Sequence, residues 1–247
     1  MNFRPASFSF LPPVVKNLII INGLMFLATI SFNVTFDIDL RSSLGLHYFS
    51  SELFKPYQLI TYMFMHGSFG HLFFNMFAVW MFGSAIENTW GQKRFLVYYI
   101  LTGIGASLLH YGIVFFEIQH FESLMSPESI SYVRDHGAAL IQTHRNFVDP
   151  DMANLNGLIN GGLVGASGSL FGILLAFGML FPNTVLYMMF IPVPIKAKYF
   201  VAMYGAFELF SGLQNSPGDN VAHFAHLGGM LFGYILIRYW KSKSSYF

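Results

Sequence analysis

Residues 165–172 read GASGSLFG. One serine, Ser167, stands between small residues at the head of an apolar run that continues to Phe181. A hydroxyl in such a run is costly unless it faces a protein interior or a water-filled cavity. The surroundings sharpen the question. The 247-residue chain is 54% hydrophobic and only 10% charged, against about 25% charged for a typical soluble domain. Its mean hydropathy is +0.52. These values describe a polytopic membrane protein. A net charge of +1 leaves no nucleic-acid footprint, and the lack of cysteine excludes disulfides and thiolate chemistry.

A bilayer core needs about 20 mostly apolar residues per helix. Six spans are expected, near Val14–Phe32, Phe69–Ile86, Phe95–Phe116, Gly161–Phe181, Tyr199–Gly212 and Val221–Tyr239. Pro192 and Pro194 break the apolar stretch between the fourth and fifth, which reads as a connector. With the N-terminus inside, the inner segments hold Arg4, Lys16, Lys93, Arg94, Lys196, Lys198, Arg238, Lys241 and Lys243. The outer ones hold Arg41, Lys55, Arg134 and Arg145. This bias puts both termini on the cytoplasmic side. No cleavable signal peptide is expected at MNFRPASFSFLPPVV. The expected fold is all-α: one membrane domain, residues 1–247, with an outer insert, residues 117–160, between the third and fourth spans. Within the insert, Ser126-Pro127-Glu128-Ser129 reads as a helix start. No internal repeat is visible.

Polar residues inside the spans carry the functional reading. The second span opens HGSFGHLFFN, with His66, His71 and Asn75; the sixth opens with VAHFAHLGGMLFG, with His223 and His226. In the orientation above, His71, Ser167 and His226 all fall in the outer halves of their helices. Asn75 follows His71 by four residues and shares its face. A serine hydroxyl becomes a nucleophile when an imidazole takes its proton and returns it to the leaving group. The oxyanion formed on attack needs preorganised donors, which His71, Asn75 and the Ser167 amide can supply. Gly168 and Gly172, and Gly229 and Gly233, form small-xxx-small pairs that let two membrane helices approach closely.

With GASG on the fourth span, HGSFGHLFFN on the second and AHFAHLGGMLFG on the sixth, the chain resembles the rhomboid intramembrane serine proteases from about Leu18 to Tyr239. The resemblance implies a Ser–His dyad without a catalytic carboxylate. Ser167 matches the nucleophile, His226 the base, His71 and Asn75 the oxyanion pair, and Gly165 the glycine lining that hole. His66 matches a structural histidine, His223 a neighbour of the base, and Glu87 an anchor at the inner end of the second span. Expected substrates are single-span membrane proteins, cut within the bilayer without a cofactor. Span five and the loop Leu213–Asn220 would be gate and cap. The compact plan suggests a bacterial inner membrane, and the oligomeric state stays open.

Three rivals are weighed. An inactive rhomboid-like factor that binds membrane proteins would be expected to lack one of the dyad. A histidine metal site lacks an intramembrane acid nearby as third ligand. A transporter would rest on Glu208, whose plainer reading is a buried glutamate that bonds a neighbouring helix.

Overall fold

The computed structural model describes residues 9–188, 191–214 and 221–243. The expected cap, Leu213–Asn220, falls mostly outside the described residues. In chain order the helices are α1 (Pro13–Phe36), α2 (Leu40–Leu44), α3 (Gln58–Thr61), α4 (Phe69–Ala78), α5 (Ser84–Trp90) and α6 (Gln92–Ser123). There follow α7 (Pro127–Gln142), α8 (Pro150–Asn160), α9 (Ser167–Leu180), α10 (Ala197–Gln214) and α11 (His223–Lys243). A π-helical turn, Val79–Gly83, joins α4 and α5 into one rod, Phe69–Trp90.

Among the described residues three helices, Pro13–Phe36, Phe69–Trp90 and Gln92–Ser123, are long and apolar enough to cross a membrane. The expectation of six such spans is therefore met for three. The helix α9 is apolar but only 14 residues long, and α10 carries Lys198 and Glu208. The fourth span begins at Ser167 and not at Gly161. Residues 161–166 run outside the helix, where Leu46 and Leu163 exchange two 2.9 Å backbone hydrogen bonds. The all-α expectation needs one amendment. Between α9 and α10, β1 (Val185–Met188) and β2 (Ile191–Lys196) pair antiparallel. Proline cannot continue a helix, but a two-stranded edge ribbon tolerates it.

Local chemistry sets the helix ends. Pro13 fills the first helical position of α1, where no amide hydrogen is needed. The next two amides, of Val14 and Val15, donate to Glu87 Oε1 and Oε2 at 3.0 and 2.8 Å. Glu87 is 3% exposed. It caps one helix from another and ties α5 to α1. Outside the bundle, α7 starts with the Ser129 amide donating to Ser126 Oγ at 3.2 Å, and α8 with Asp149 accepting from Asp151 and Met152. Both helices pack on the end of α6 through Val133, Leu155, Ile159, Val114 and Ile118. Asp39 caps α2 and grips Arg41 through its side chain and backbone amide. Burial alone would raise the Asp39 pKa, but the Arg41 bonds outweigh it and hold the carboxyl below its ordinary value.

The centre of the bundle is a seam of small residues between α6, α9 and α11. A Cβ on Gly229 would stand 1.8 Å from the Gly168 carbonyl oxygen. One on Gly233 would stand 2.4 Å from Tyr98 Oη, and one on Gly172 2.7 Å from Thr102 Cβ. On the same α9–α6 side, a Cβ on Gly168 would stand 2.6 Å from Ala106 Cβ. With no hydrophobic drive between helices in lipid, such backbone contact is what holds them together. Buried Tyr98, Phe95, Ile173 and Ile237 close the core toward the other end of the helices.

Two substitutions test these supports by thermal unfolding in detergent. Gly229→Ala meets a backbone atom that no rotamer change can move. It should cost at least the about 1–3 kcal/mol typical of overpacking. Glu87→Ala should cost about 1.5–3 kcal/mol by orphaning two amides that bond a charged group. A midpoint unchanged in either variant would refute the corresponding contact.

Candidate active site

Ser167 opens α9, so its amide belongs to the helical turn that lacks internal acceptors. Gly165, two residues earlier, has φ +131°, a region that side chains avoid. Its amide donates to the Tyr62 carbonyl at 3.0 Å. A Cβ there would lie 2.9 Å from His71 Cε1 and Nε2 and 3.5 Å from Ser167 Oγ. The glycine thus leaves the space in which the imidazole of His71 faces the hydroxyl of Ser167.

From the opposite side comes α11. His226 Nε2 lies 2.9 Å from Ser167 Oγ, across 59 residues of sequence. The His226 ring is stacked on Phe171, with centroids 4.2 Å apart and planes within 5°. Phe171 follows Ser167 by one helical turn, so α9 supplies both the hydroxyl and the platform that fixes the imidazole plane. The sequence analysis does not single out Phe171; its i+4 spacing from Ser167 is the signal that could have found it.

The other nitrogen of His226 also has a partner. His226 Nδ1 lies 2.8 Å from Glu208 Oε2, and His223 Nδ1 lies 2.6 Å from the same oxygen. Glu208 is 3% exposed and both histidines 9%. An ionised carboxylate accepts from both rings. With the hydrogen of His226 on Nδ1, Nε2 keeps its lone pair and accepts the Ser167 hydroxyl. One expectation is corrected here: an acid does stand beside the histidines. Glu208, His223 and His226 have ligand atoms within 4.8 Å of one another, as a metal site would. The observed 2.6 and 2.8 Å separations are hydrogen-bond lengths, however. Ligands each about 2.0–2.2 Å from one zinc ion in tetrahedral array stand about 3.3 Å apart.

His71 and Asn75 lie on α4, whose first turn is capped by the His71 amide donating to Ser68 Oγ at 3.2 Å. Asn75 is 5% exposed, and its Nδ2 has no hydrogen-bond partner among the described residues. His66, before the helix, is buried and sets its ring edge-on to His71 at 4.9 Å. Its five-residue offset on the sequence does not separate the two rings, because His66 lies outside the helix. A cavity of about 670 Å³ is lined by His71, Asn75, Ser167, Phe171, Tyr204 and His226. The structure thus gathers Ser167, His226, His71 and Asn75 at one cavity, with Gly165 packed against His71. It places His223 beside Glu208 and the four seam glycines behind the serine. Ser169 points away, its hydroxyl donating to the Tyr99 carbonyl at 2.8 Å.

Comparison with known proteins points to one family. The family model described as "Rhomboid domain" matches residues 53–118 and 138–242, which skips most of α7. Rhomboid protein 1, mitochondrial, of Saccharomyces cerevisiae is 29% identical over 191 residues, covering 75% of this chain and 42% of that protein. RHOMBOID-like protein 12, mitochondrial, of Arabidopsis thaliana is 29% identical over 220 residues, covering 87% and 55%. Rhomboid protease GluP of Bacillus subtilis is 38% identical over 52 residues, covering 21% and 10%. The chain spans about half the length of the mitochondrial relatives it matches. Two mitochondrial names and one bacterial give no support to the expected bacterial inner membrane.

Gly165→Ala tests the close approach of His71. It should slow labelling of Ser167 by a fluorophosphonate at least about tenfold, the rate cost of roughly 1.4 kcal/mol, and lower the thermal midpoint, because φ +131° strains any residue that carries a side chain. Labelling at the wild-type rate would show that a methyl group fits beside the ring.

Proposed function

Since this chain belongs to the rhomboid family, we propose that it is a serine endopeptidase that cuts membrane-spanning proteins within the bilayer. The 2.9 Å contact between Ser167 Oγ and His226 Nε2, on the wall of a cavity, carries this reading. Ser167 Oγ attacks the scissile carbonyl carbon, and its proton passes to His226 Nε2. The carbonyl electrons move onto oxygen, which takes donors from Asn75 Nδ2, His71 and the Ser167 amide. When the carbon–nitrogen bond breaks, His226 returns the proton to the departing amine. The acyl group stays on Ser167 until water, deprotonated by the same imidazole, releases the acid.

The unpartnered, buried Asn75 Nδ2 supports the oxyanion role, since a buried donor without an acceptor is costly in a resting protein. Such a cost is accepted where the acceptor arrives with the reaction. The substrates are single-span proteins, whose extended or unwound segment fits a cavity of this volume. The bundle crosses the bilayer six times with both termini on the inner side, in keeping with the distribution of lysine and arginine. α7 and α8 form an outer insert of a single domain.

Reconstituted protein with a model single-span substrate provides the test. Wild type should yield two fragments. Ser167→Ala and His226→Ala should each lower kcat by about 10³-fold or more, as loss of one member of a cooperating pair does. Fluorophosphonate should label Ser167 alone. Cleavage that persists in Ser167→Ala would reject the mechanism.

A further inference from the structure

Among the described residues, the carboxylate of Glu208 is the one charged group that touches the proposed catalytic pair, and the resemblance to rhomboid proteases assigns it no role. We propose that Glu208 is a positioning residue that extends Ser167–His226 into a three-member relay, with the third group supplied by a different helix. This inference rests on the protease reading above.

Three observations carry it. Glu208 Oε2 accepts from His226 Nδ1 at 2.8 Å, on the ring edge opposite the 2.9 Å contact with Ser167 Oγ. The hydroxyl, ring and carboxylate therefore stand in series. A carboxylate in that place fixes the hydrogen on Nδ1 and leaves the lone pair on Nε2, the tautomer a general base requires. It also stands beside the positive charge that forms on the ring when Ser167 gives up its proton, in a setting where water is scarce and charge interactions are strong. Second, Glu208 is held from both sides. His223 Nδ1 donates to the same oxygen at 2.6 Å, so the carboxylate keeps its place without depending on His226. Third, its helix is arranged to present it. Val201 and Glu208 are buried on α10 and one face, i and i+7, carries both with Gly205 between them. A Cβ on Gly205 would lie 3.1 Å from Met230 of α11, the tight packing that brings the two helices together.

The consequence is that the relay is complete only while α10 is seated against α11. A substrate that displaced α10 would remove the carboxylate from the imidazole, and chemistry would wait for its return.

Glu208→Gln and Glu208→Asp in proteoliposomes, with wild type and Ser167→Ala alongside, provide the test. The glutamine amide can donate to His226 Nδ1 and so favours the wrong tautomer. Its kcat should fall about 10²-fold or more while KM stays within about twofold. The acid limb of its kcat/KM profile should move to lower pH, because the imidazolium has lost its counter-charge. The titratable groups facing this site are Tyr204 beside Glu208 on α10, His223 on α11 and His71 on α4, and all are retained in the variant. Glu208→Asp keeps the charge and should recover a substantial part of kcat and the wild-type pH limb. Wild-type kcat with an unmoved limb in Glu208→Gln overturns the inference. So does a loss of kcat with an unmoved limb, no recovery in Glu208→Asp and a lowered thermal midpoint, which assigns Glu208 to packing alone. Wild type that neither cleaves substrate nor reacts with fluorophosphonate overturns the protease reading, and this inference with it.

Discussion

The site depends on backbone contact between two helices at Gly229 and Gly168. There is no room for a single methyl group between them, since a Cβ on Gly229 would fall inside the Gly168 carbonyl oxygen. A serine and a histidine side chain have little reach. For Oγ of one helix and Nε2 of another to come within 2.9 Å, the helix axes themselves must be close. In water a protein could draw helices together by burying leucines. In lipid that gain disappears, and closeness comes from removing side chains. On the proposed mechanism the glycines are therefore part of the chemistry, although none of them touches a proton that moves.

The same economy separates structural polar groups from those of the site. In a membrane, a hydroxyl that has no functional task bonds its own helix or a neighbour's backbone. Thr29 donates to the Met25 carbonyl, Thr102 to Tyr98, Ser169 to Tyr99 and Tyr62 to Gly103. Each of these contacts satisfies the side chain where it stands. The site residues bond differently. Ser167, His226 and Glu208 bond one another across three helices, and Asn75 Nδ2 bonds nothing among the described residues.

Hydropathy made the apolar helices legible, because a long greasy stretch in lipid has no alternative but a helix. α1 and α6 ran past their expected ends, to Phe36 and Ser123, since polar residues can extend a helix beyond the hydrocarbon. The start of α9 was misread for a different reason. Gly161–Ala166 is small and apolar, and hydropathy does not distinguish helix from extended chain. What decides it is the pairing of Leu163 with Leu46, over a hundred residues away. Ser167, His226, His71 and Asn75 were legible because each sits in a short motif. Glu208 was seen but its neighbours were not. It has no motif, lies 18 residues from His226, and registers in any local reading only as a cost. Pairing through the fold turned that cost into a contact.

The shortness of α9 links these features. Its 14 residues make a rod of about 21 Å, whereas the hydrocarbon core is about 30 Å thick. Residues 161–166 supply the difference as non-helical chain, held by Leu46 and by the Tyr62 carbonyl, and turned into the helix at Gly165. A full-length span would have put Ser167 in mid-helix, with its amide bonded to the preceding turn. Starting the helix at the serine frees that amide. It also aims the positive end of the helix dipole at the position where the proposed mechanism puts the oxyanion. On the proposed mechanism, the short helix places a donor beside the nucleophile at no further cost.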